Sequence, residues 1–455
     1  MEVERFYLGC LAHASYFVHD AGEAAVIDPQ RDVDLYVDEA KKLGVRIRWV
    51  IETHLHADFV SGHLELANRT GATICLGAYA GAEFSHQDLH DGEEIPLGTG
   101  RLRILSTPGH TEESICIAVL PGVSGDPQCV FTGDTLFIGD VGRPDLSPTR
   151  TPQELAALLY DSLHEKLLKL PDATVVYPAH GAGSLCGKQM SSDASSTIGR
   201  ERTGNYALQA ATREQFVELL TADMAPRPAY FLDEVERNRS GAAPLEELEP
   251  IRELSPGEVE EMHAAGMVVL DTRPANQFAG AHVPGSIHVA LGGQFASWAA
   301  RVLGGVETRV VLVAEDEAAV RESRMRLARV GIEHVLGYLA GGMYGWIQAG
   351  KPVQPLDQIS ALELGPWMEA QAQTTTLVDV RERSELAGGV IPGSVSIPLP
   401  QLQKRLGEIE PGTTVLVHCK GGYRSSIAAS ILQAAGFPKV GNLSGGYDAW
   451  KLTGA

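Results

Sequence analysis

The chain has 455 residues, 44% hydrophobic and 21% charged, a globular composition that excludes a disordered chain. Lys and Arg number 37 against 58 Asp and Glu, a formal net charge of −21. So acidic a surface repels phosphate backbones and anionic lipid, so neither nucleic acid nor a membrane surface is an expected partner.

In chain order, short apolar strands are expected at 16–18, 25–27, 49–51, 103–105, 130–131 and 175–177, most followed at once by Asp, His or Thr. Helices with an apolar face are expected at 34–43 and 153–168. Polar residues at strand ends are where α/β folds build their sites. The acidic, Pro-containing stretch 242–255 reads as a linker. Beyond it the sequence repeats itself. Asp271-Thr272-Arg273 with Val283-Pro284-Gly285-Ser286 lines up without gaps on Asp379-Val380-Arg381 with Ile391-Pro392-Gly393-Ser394. Each copy closes alike, Gly341-Gly342 to Trp346 against Gly445-Gly446 to Trp450. Strands at 268–270, 310–313, 376–380 and 415–417 alternate with helices, which means parallel strands with crossover helices. Residues 351–355, with two prolines, read as a short, stiff hinge. The expected division is 1–245, 252–352 and 356–455, in line with about three domains of roughly 150 residues each.

No apolar run approaches the ~20 residues of a membrane span. The first residues, Met1 to Phe6, lack a signal-peptide layout. Cysteines at 10, 75, 116, 129, 186 and 419 are scattered and form no CxxC pair. A cytoplasmic protein with reduced thiols is expected.

The strand at 49–51 runs into Glu52-Thr53-His54-Leu55-His56-Ala57-Asp58-Phe59, and later strands run into His110, Asp134 and His180. Four loops at one sheet edge would converge imidazoles and carboxylates suited to a divalent first-row metal. His54, His56, Asp58, His110, Asp134 and His180 resemble the metallo-β-lactamase superfamily pattern, which implies a four-layer αβ/βα sandwich over about residues 1–240. In the dinuclear hydrolases of that superfamily a histidine follows the motif Asp and ligates a second metal. Here that position is Phe59, which has no lone pair to offer. Together with Gly139 to Asp145, the pattern is more similar to the persulfide dioxygenase branch. That resemblance implies one Fe(II) held by His54, His110 and Asp134, with His56, Asp58 and His180 orienting ligands or bound water. Two imidazoles and one carboxylate leave three positions open, enough for O2 and a substrate sulfur together. Zinc is the alternative metal.

Two roles are open to Arg143: gripping a carboxylate of the thiol carrier, or a structural ion pair. Residues 195–206 resemble the family's substrate-side segment. Cys186 lies in a small, polar loop expected to be exposed, with Lys188 close enough to favour thiolate, and is a candidate for holding a persulfide near the metal.

The strand before His418-Cys419-Lys420-Gly421-Gly422-Tyr423-Arg424-Ser425 places a Cys on a Gly-rich turn entering a helix. Loop amides, the helix dipole and Arg424 all favour thiolate there. This resembles the rhodanese active loop, one residue shorter than the phosphate cradle of tyrosine-phosphatase-like relatives. Cys419 is then the sulfur carrier, with Arg424 and Lys420 stabilising anions. In the first repeat, aligning 311–313 on 415–417 puts Glu315 in the nucleophile's place, so that copy is expected to be inactive.

The combined expectation is a persulfide dioxygenase–sulfurtransferase. It would oxidise the persulfide of a low-molecular-weight thiol with O2 to sulfite, and transfer sulfane sulfur to sulfite. Two other readings stay open, a glyoxalase-II-like zinc thioester hydrolase with an accessory rhodanese and a non-catalytic sulfane-sulfur carrier. A homo-oligomer also stays open.

Overall fold

A computed structural model describes residues 1–122, 125–222, 224–371, 375–410 and 412–454. The chain divides into two units, Met1–Leu248 with Ala328–Gly331, and Glu249–Leu327 with Ile332–Ala455.

The first unit is built on two six-stranded sheets. One runs in the order Glu2–Leu8, His13–Asp20, Glu23–Ile27, Arg46–Ile51, Thr73–Gly77, Gln87–Leu89. The other runs Ser196–Thr197, Val175–Pro178, Cys129–Gly133, Ile115–Leu120, Gly100–Ser106, Glu94–Leu97. Their facing sides bury one core that includes Tyr16, Ile27, Ile51, Ile104, Ile117 and Phe131. The helix Asp34–Leu43 covers the outer face of the first sheet through Tyr36 and Ala40. The helix Pro152–Glu165 covers the outer face of the second through Leu159 and Leu163. This is the expected αβ/βα sandwich.

Local signals explain the helix ends. Asp34–Leu43 has an acid in its first turn, two lysines in its last, and stops at Gly44 in the left-handed conformation (φ 65°). Pro152–Glu165 starts on a Thr151/Glu154 capping box with Pro152 in the first turn. It ends before the expected 168, the chain tightening into the 3-10 turn Leu167–Lys169. Six further strands of the first unit (Glu2–Leu8, Thr73–Gly77, Gln87–Leu89, Glu94–Leu97, Ile115–Leu120, Ser196–Thr197) lie outside the strand ranges given above.

The second unit holds two all-parallel five-stranded sheets, one per repeat. The stretch read as a linker in fact supplies the first repeat's edge strand, Arg252–Leu254, which pairs with Val335–Leu339. The hinge is also tied down: Gln354 exchanges both backbone hydrogen bonds with His282, each 3.0 Å. Among the described residues no helix is long and apolar enough to cross a membrane.

Candidate functional site

Strand direction assembles the first site. Glu23–Ile27 and Arg46–Ile51 are parallel, and so are Cys129–Gly133 and Val175–Pro178. Their C-terminal ends therefore deliver Asp28, Glu52 to Asp58, Asp134 and His180 to one edge of the sandwich. Gly133 is required there. It sits at φ 51°, and a Cβ on it would lie 2.5 Å from the Thr53 hydroxyl oxygen.

Ligand atoms of His54, His110 and Asp134 all lie within 4.8 Å of one another, and all three residues are buried. Asp134 Oδ2 is 3.4 Å from His110 Nε2 and 3.9 Å from His54 Nε2. Neighbours fix both tautomers. His110 Nδ1–H donates to the Arg143 carbonyl at 2.8 Å. The Thr53 hydroxyl donates to Asp28 at 2.9 Å, so it accepts from His54 Nδ1–H at 3.0 Å. Both Nε2 lone pairs are thereby turned toward Asp134. Burial holds His54 well below the ordinary imidazole range and lowers His110 too. Burial alone would raise the Asp134 carboxyl, but His180, His54 and His110 hold it well below the usual carboxylate range. Neutral imidazoles beside an ionised carboxylate, with His110 Nε2 and Asp134 Oδ2 buried and unpartnered, fit a two-histidine, one-carboxylate metal site.

His56 faces elsewhere. Its Nε2 lies 3.2 Å from Asp28 Oδ1 and 3.3 Å from Glu52 Oε2. Burial opposes its charge, but the two carboxylates raise its pKa to about 10. It is an imidazolium between two acids. The Phe59 ring packs 4.4 Å from His56 and 4.1 Å from His13, a buried imidazole with no hydrogen-bond partner. His180 bridges two acids, Nδ1 to Asp134 at 2.7 Å and Nε2 to Asp58 at 3.0 Å.

Two expectations change here. Cys186 is buried, not exposed. Burial, with Asp58 and Asp134 nearby, pushes its thiol well above the ordinary range, and the Lys188 ammonium points instead at the Leu220 carbonyl. Thiolate is disfavoured, not favoured. Arg143 is engaged internally, with Nε and Nη2 on Asp145 at 2.6 and 2.8 Å and further bonds to the Leu185 and Ala225 carbonyls. This is the structural ion pair, and it frames His110 through its own carbonyl. Residues 195–206 form Ser196–Thr197 and the helix Ile198–Gly204, whose Arg200 lines a hollow with Ile138, Asp193 and Thr203.

The second site sits at the end of Thr414–His418 in the second repeat. Cys419 Sγ accepts the Gly422 N–H at 3.1 Å and the Ser425 hydroxyl at 3.5 Å. Gly422, at φ 103°, turns the chain into the helix Tyr423–Ala434, whose N-terminus meets the sulfur. Lys420 is exposed. Arg424 does not point freely at the loop: it makes a two-point pair with Glu385 at 2.6 and 2.8 Å. The first repeat packs on this helix. Tyr423 OH donates to the Ala290 carbonyl at 2.8 Å, Ser430 Oγ accepts the His288 N–H at 2.9 Å, and His288 Nδ1 lies 2.9 Å from Ser426 Oγ.

Strand register corrects the repeat alignment. Asp379 pairs with His418, and its counterpart Asp271 pairs with Val313. Ala314, not Glu315, therefore stands in the place of Cys419, and Glu315 in that of Lys420. The first repeat still lacks a nucleophile.

Sequence reasoning missed His13, Asp28, Glu52 and Glu385. Asp28 and Glu52 each follow a strand, the same signal that marks His54 and Asp134. His13 opens a strand, and Glu385 lies in the short 3-10 helix Arg383–Gly388, which has no apolar period to mark it.

The sequence model for the metallo-beta-lactamase superfamily matches residues 8–180, and that for the rhodanese-like domain matches 255–349 and 361–453. The mitochondrial persulfide dioxygenase ETHE1 of Bos taurus is 33% identical over 215 residues, 46% of this chain and 75% of that one. A probable metallo-hydrolase of Burkholderia pseudomallei is 31% identical over 296 residues, 56% of this chain and 98% of that one. The crystal structure of a metallo-beta-lactamase from Staphylococcus aureus subsp. aureus COL superposes with a TM-score of 0.66 at 28% identity, covering 74% of this chain and 98% of that one.

Proposed function

Because the chain belongs to the metallo-β-lactamase-fold persulfide dioxygenases, with two rhodanese-like domains joined to that fold, we propose that it oxidises a low-molecular-weight thiol persulfide with O2 and passes sulfane sulfur to sulfite. The observation that carries the reading is the donor set. His54, His110 and Asp134 converge, while His56 is turned to Asp28 and Glu52 and Phe59 replaces a ligand of the dinuclear hydrolases.

His54, His110 and Asp134 would hold a single Fe(II). Iron bound there supplies O2 activation next to the persulfide sulfur. The chain's own residues do the rest. Thr53 and the Arg143 carbonyl hold the imidazoles in their ligating tautomers. Buried Phe59 packs on His56 and His13, and buried Phe137 on His180, which excludes bulk water beside the site. Persulfide, O2 and water give free thiol and sulfite, with two protons released. At the second site the Cys419 sulfur attacks the sulfane sulfur of a further persulfide and the thiol leaves. Sulfite then takes that sulfur as thiosulfate and restores Cys419. The Gly422 N–H and the helix N-terminus stabilise the thiolate at both ends of this cycle.

The test is O2 uptake by iron-loaded protein on glutathione, coenzyme A and bacillithiol persulfides, with sulfite and thiosulfate quantified. His54→Ala should abolish O2 uptake and leave sulfur transfer. Cys419→Ser should leave O2 uptake and turn the product from thiosulfate to sulfite. Stoichiometric zinc in protein purified without added metal, together with no O2 uptake, rejects the reading in favour of a thioester hydrolase.

A further inference from the structure

The loop around Cys419 is less cationic than its sequence suggests. Both Nη nitrogens of Arg424, the cation that closes the loop, are taken by Glu385 at 2.6 and 2.8 Å. Burial would raise the Glu385 carboxyl, but Arg424 holds it below the ordinary carboxylate range, and it also accepts the Glu382 N–H at 2.9 Å. Arg381, beside Glu385, is spent on Asp379, with Nη2 on Oδ2 at 2.6 Å and Nε at 3.0 Å from both oxygens. Arg301 is paired with Glu382 at 3.0 Å. Lys420 remains, exposed to solvent. Among the described residues the hydrogen-bond donors to the sulfur are the Gly422 N–H and the Ser425 hydroxyl. The first repeat shows that the position of Glu385 belongs to the loop mouth. Gln277 stands six residues past Asp271, as Glu385 stands six past Asp379, and it too reaches its own loop, donating to Glu315. In one copy an amide meets an acid, and in the other an acid meets a cation.

A sulfur oxyanion and an organic persulfide ask different things of such a loop. Thiosulfate as donor carries two negative charges and its SO3 group leaves as sulfite, so it draws on a free guanidinium to receive it. An organic persulfide presents only S–SH at the loop, and its thiol leaves as thiolate. We propose that Glu385 sets the sulfur donor: by occupying Arg424 it disfavours thiosulfate and leaves Cys419 to be charged by an organic persulfide. This rests on the reading of Cys419 as a sulfane-sulfur carrier. In charging, the Cys419 thiolate attacks the outer sulfur, a new S–S bond forms on Cys419, and the S–S bond of the donor breaks with its electron pair on the carrier sulfur. Thiosulfate made later from sulfite meets an occupied Arg424 and leaves as product. A charge set against the wrong ligand is one of the two ways a site discriminates.

The experiment uses the full chain without O2, so that the first site does not consume the donor, and follows the mass of the protein as Cys419 gains one sulfur. Glutathione persulfide and thiosulfate are compared by the concentration that gives half the maximal charging rate, with Cys419→Ser as the blank. Wild type should reach that point at a lower concentration of glutathione persulfide than of thiosulfate. In Glu385→Gln, which releases Arg424, the ratio of the two should shift toward thiosulfate by about tenfold, the worth of a hydrogen bond to a charged group. Glu385→Asp, which keeps the charge, should keep the wild-type preference. An unmoved ratio in Glu385→Gln, or a shift away from thiosulfate, means that Glu385 only holds Arg424 in place and overturns the proposal. Equal use of both donors by wild type overturns it with no variant needed, so a Glu385→Gln chain that fails to fold does not shield it. If neither donor adds sulfur to Cys419, the carrier reading itself falls; charging with an unmoved ratio removes only the role of Glu385.

Discussion

Replacing His56 by Ala is the sharpest test of how the first site is held together. The imidazolium is buried, 3.2 Å from Asp28 and 3.3 Å from Glu52. Its removal leaves two buried carboxylates facing one another. Asp28 keeps the Thr53 N–H at 2.7 Å, and Glu52 keeps Ser61 and His63, but no obligate cation remains between them. Breaking a buried pair by deleting one partner costs ~3–5 kcal/mol. A unit of this size loses about 2–4 °C per kcal/mol, so the unfolding midpoint of the N-terminal unit should fall by about 6–20 °C. Calorimetry of the full chain at neutral pH reads this directly. Metal content is measured alongside, and the variant should still bind at His54, His110 and Asp134. A cost below about 1 kcal/mol, the range of an exposed pair, refutes the ion-triad reasoning. Loss of metal with no loss of stability makes His56 a ligand and refutes it from the other side.

Gly142→Ala places a Cβ 2.0 Å from the Asp134 carbonyl oxygen and 2.9 Å from His110 Nδ1. It should displace the Arg143 carbonyl from His110 and weaken metal binding by about 10–100-fold, as loss of an orienting partner does; equilibrium dialysis measures it. Tyr423→Phe removes the hydroxyl that reaches Ala290 and should cost ~1–2 kcal/mol in the second unit, slowing sulfur transfer while O2 uptake is unchanged in parallel assays. Burial would raise Glu385, but the two-point pair with Arg424 holds its carboxyl below the ordinary 4.5. A depressed pKa stabilises above the unfolded value and stops doing so as pH falls through the folded one. The stability gap between wild type and Glu385→Gln should therefore be full above about pH 4.5 and shrink below it, and a gap that is constant in acid contradicts the pairing.

The sequence carried much of this because strand ends are legible. An apolar run followed by His or Asp marks both a fold position and a chemical group, and His54, His110, Asp134, His180 and Cys419 all stand there. What was not legible is what folds back over those ends. The loop around Cys186 is small and polar and reads as exposed, yet it packs against Asp58 and Asp134, and burial reverses the expected ionisation. Arg143 looks available until Asp145, two residues on, meets it. Glu315 was placed over Cys419 by matching apolar letters. Only backbone pairing shows that Asp271 faces Val313 while Asp379 faces His418, which shifts the register by one. The edge strand Arg252–Leu254 was hidden because a three-residue strand in an acidic run has no period to detect.

The bonds by which the first repeat grips the helix behind Cys419 are made largely with main chain. Tyr423 ends on the carbonyl of Ala290, and Ser430 receives the amide of His288. A backbone group is the same whatever side chain it carries. Residues around 290 can therefore be exchanged without weakening the clasp, provided the turn keeps its course. A module with no nucleophile of its own can drift widely in sequence and still serve its neighbour as a splint.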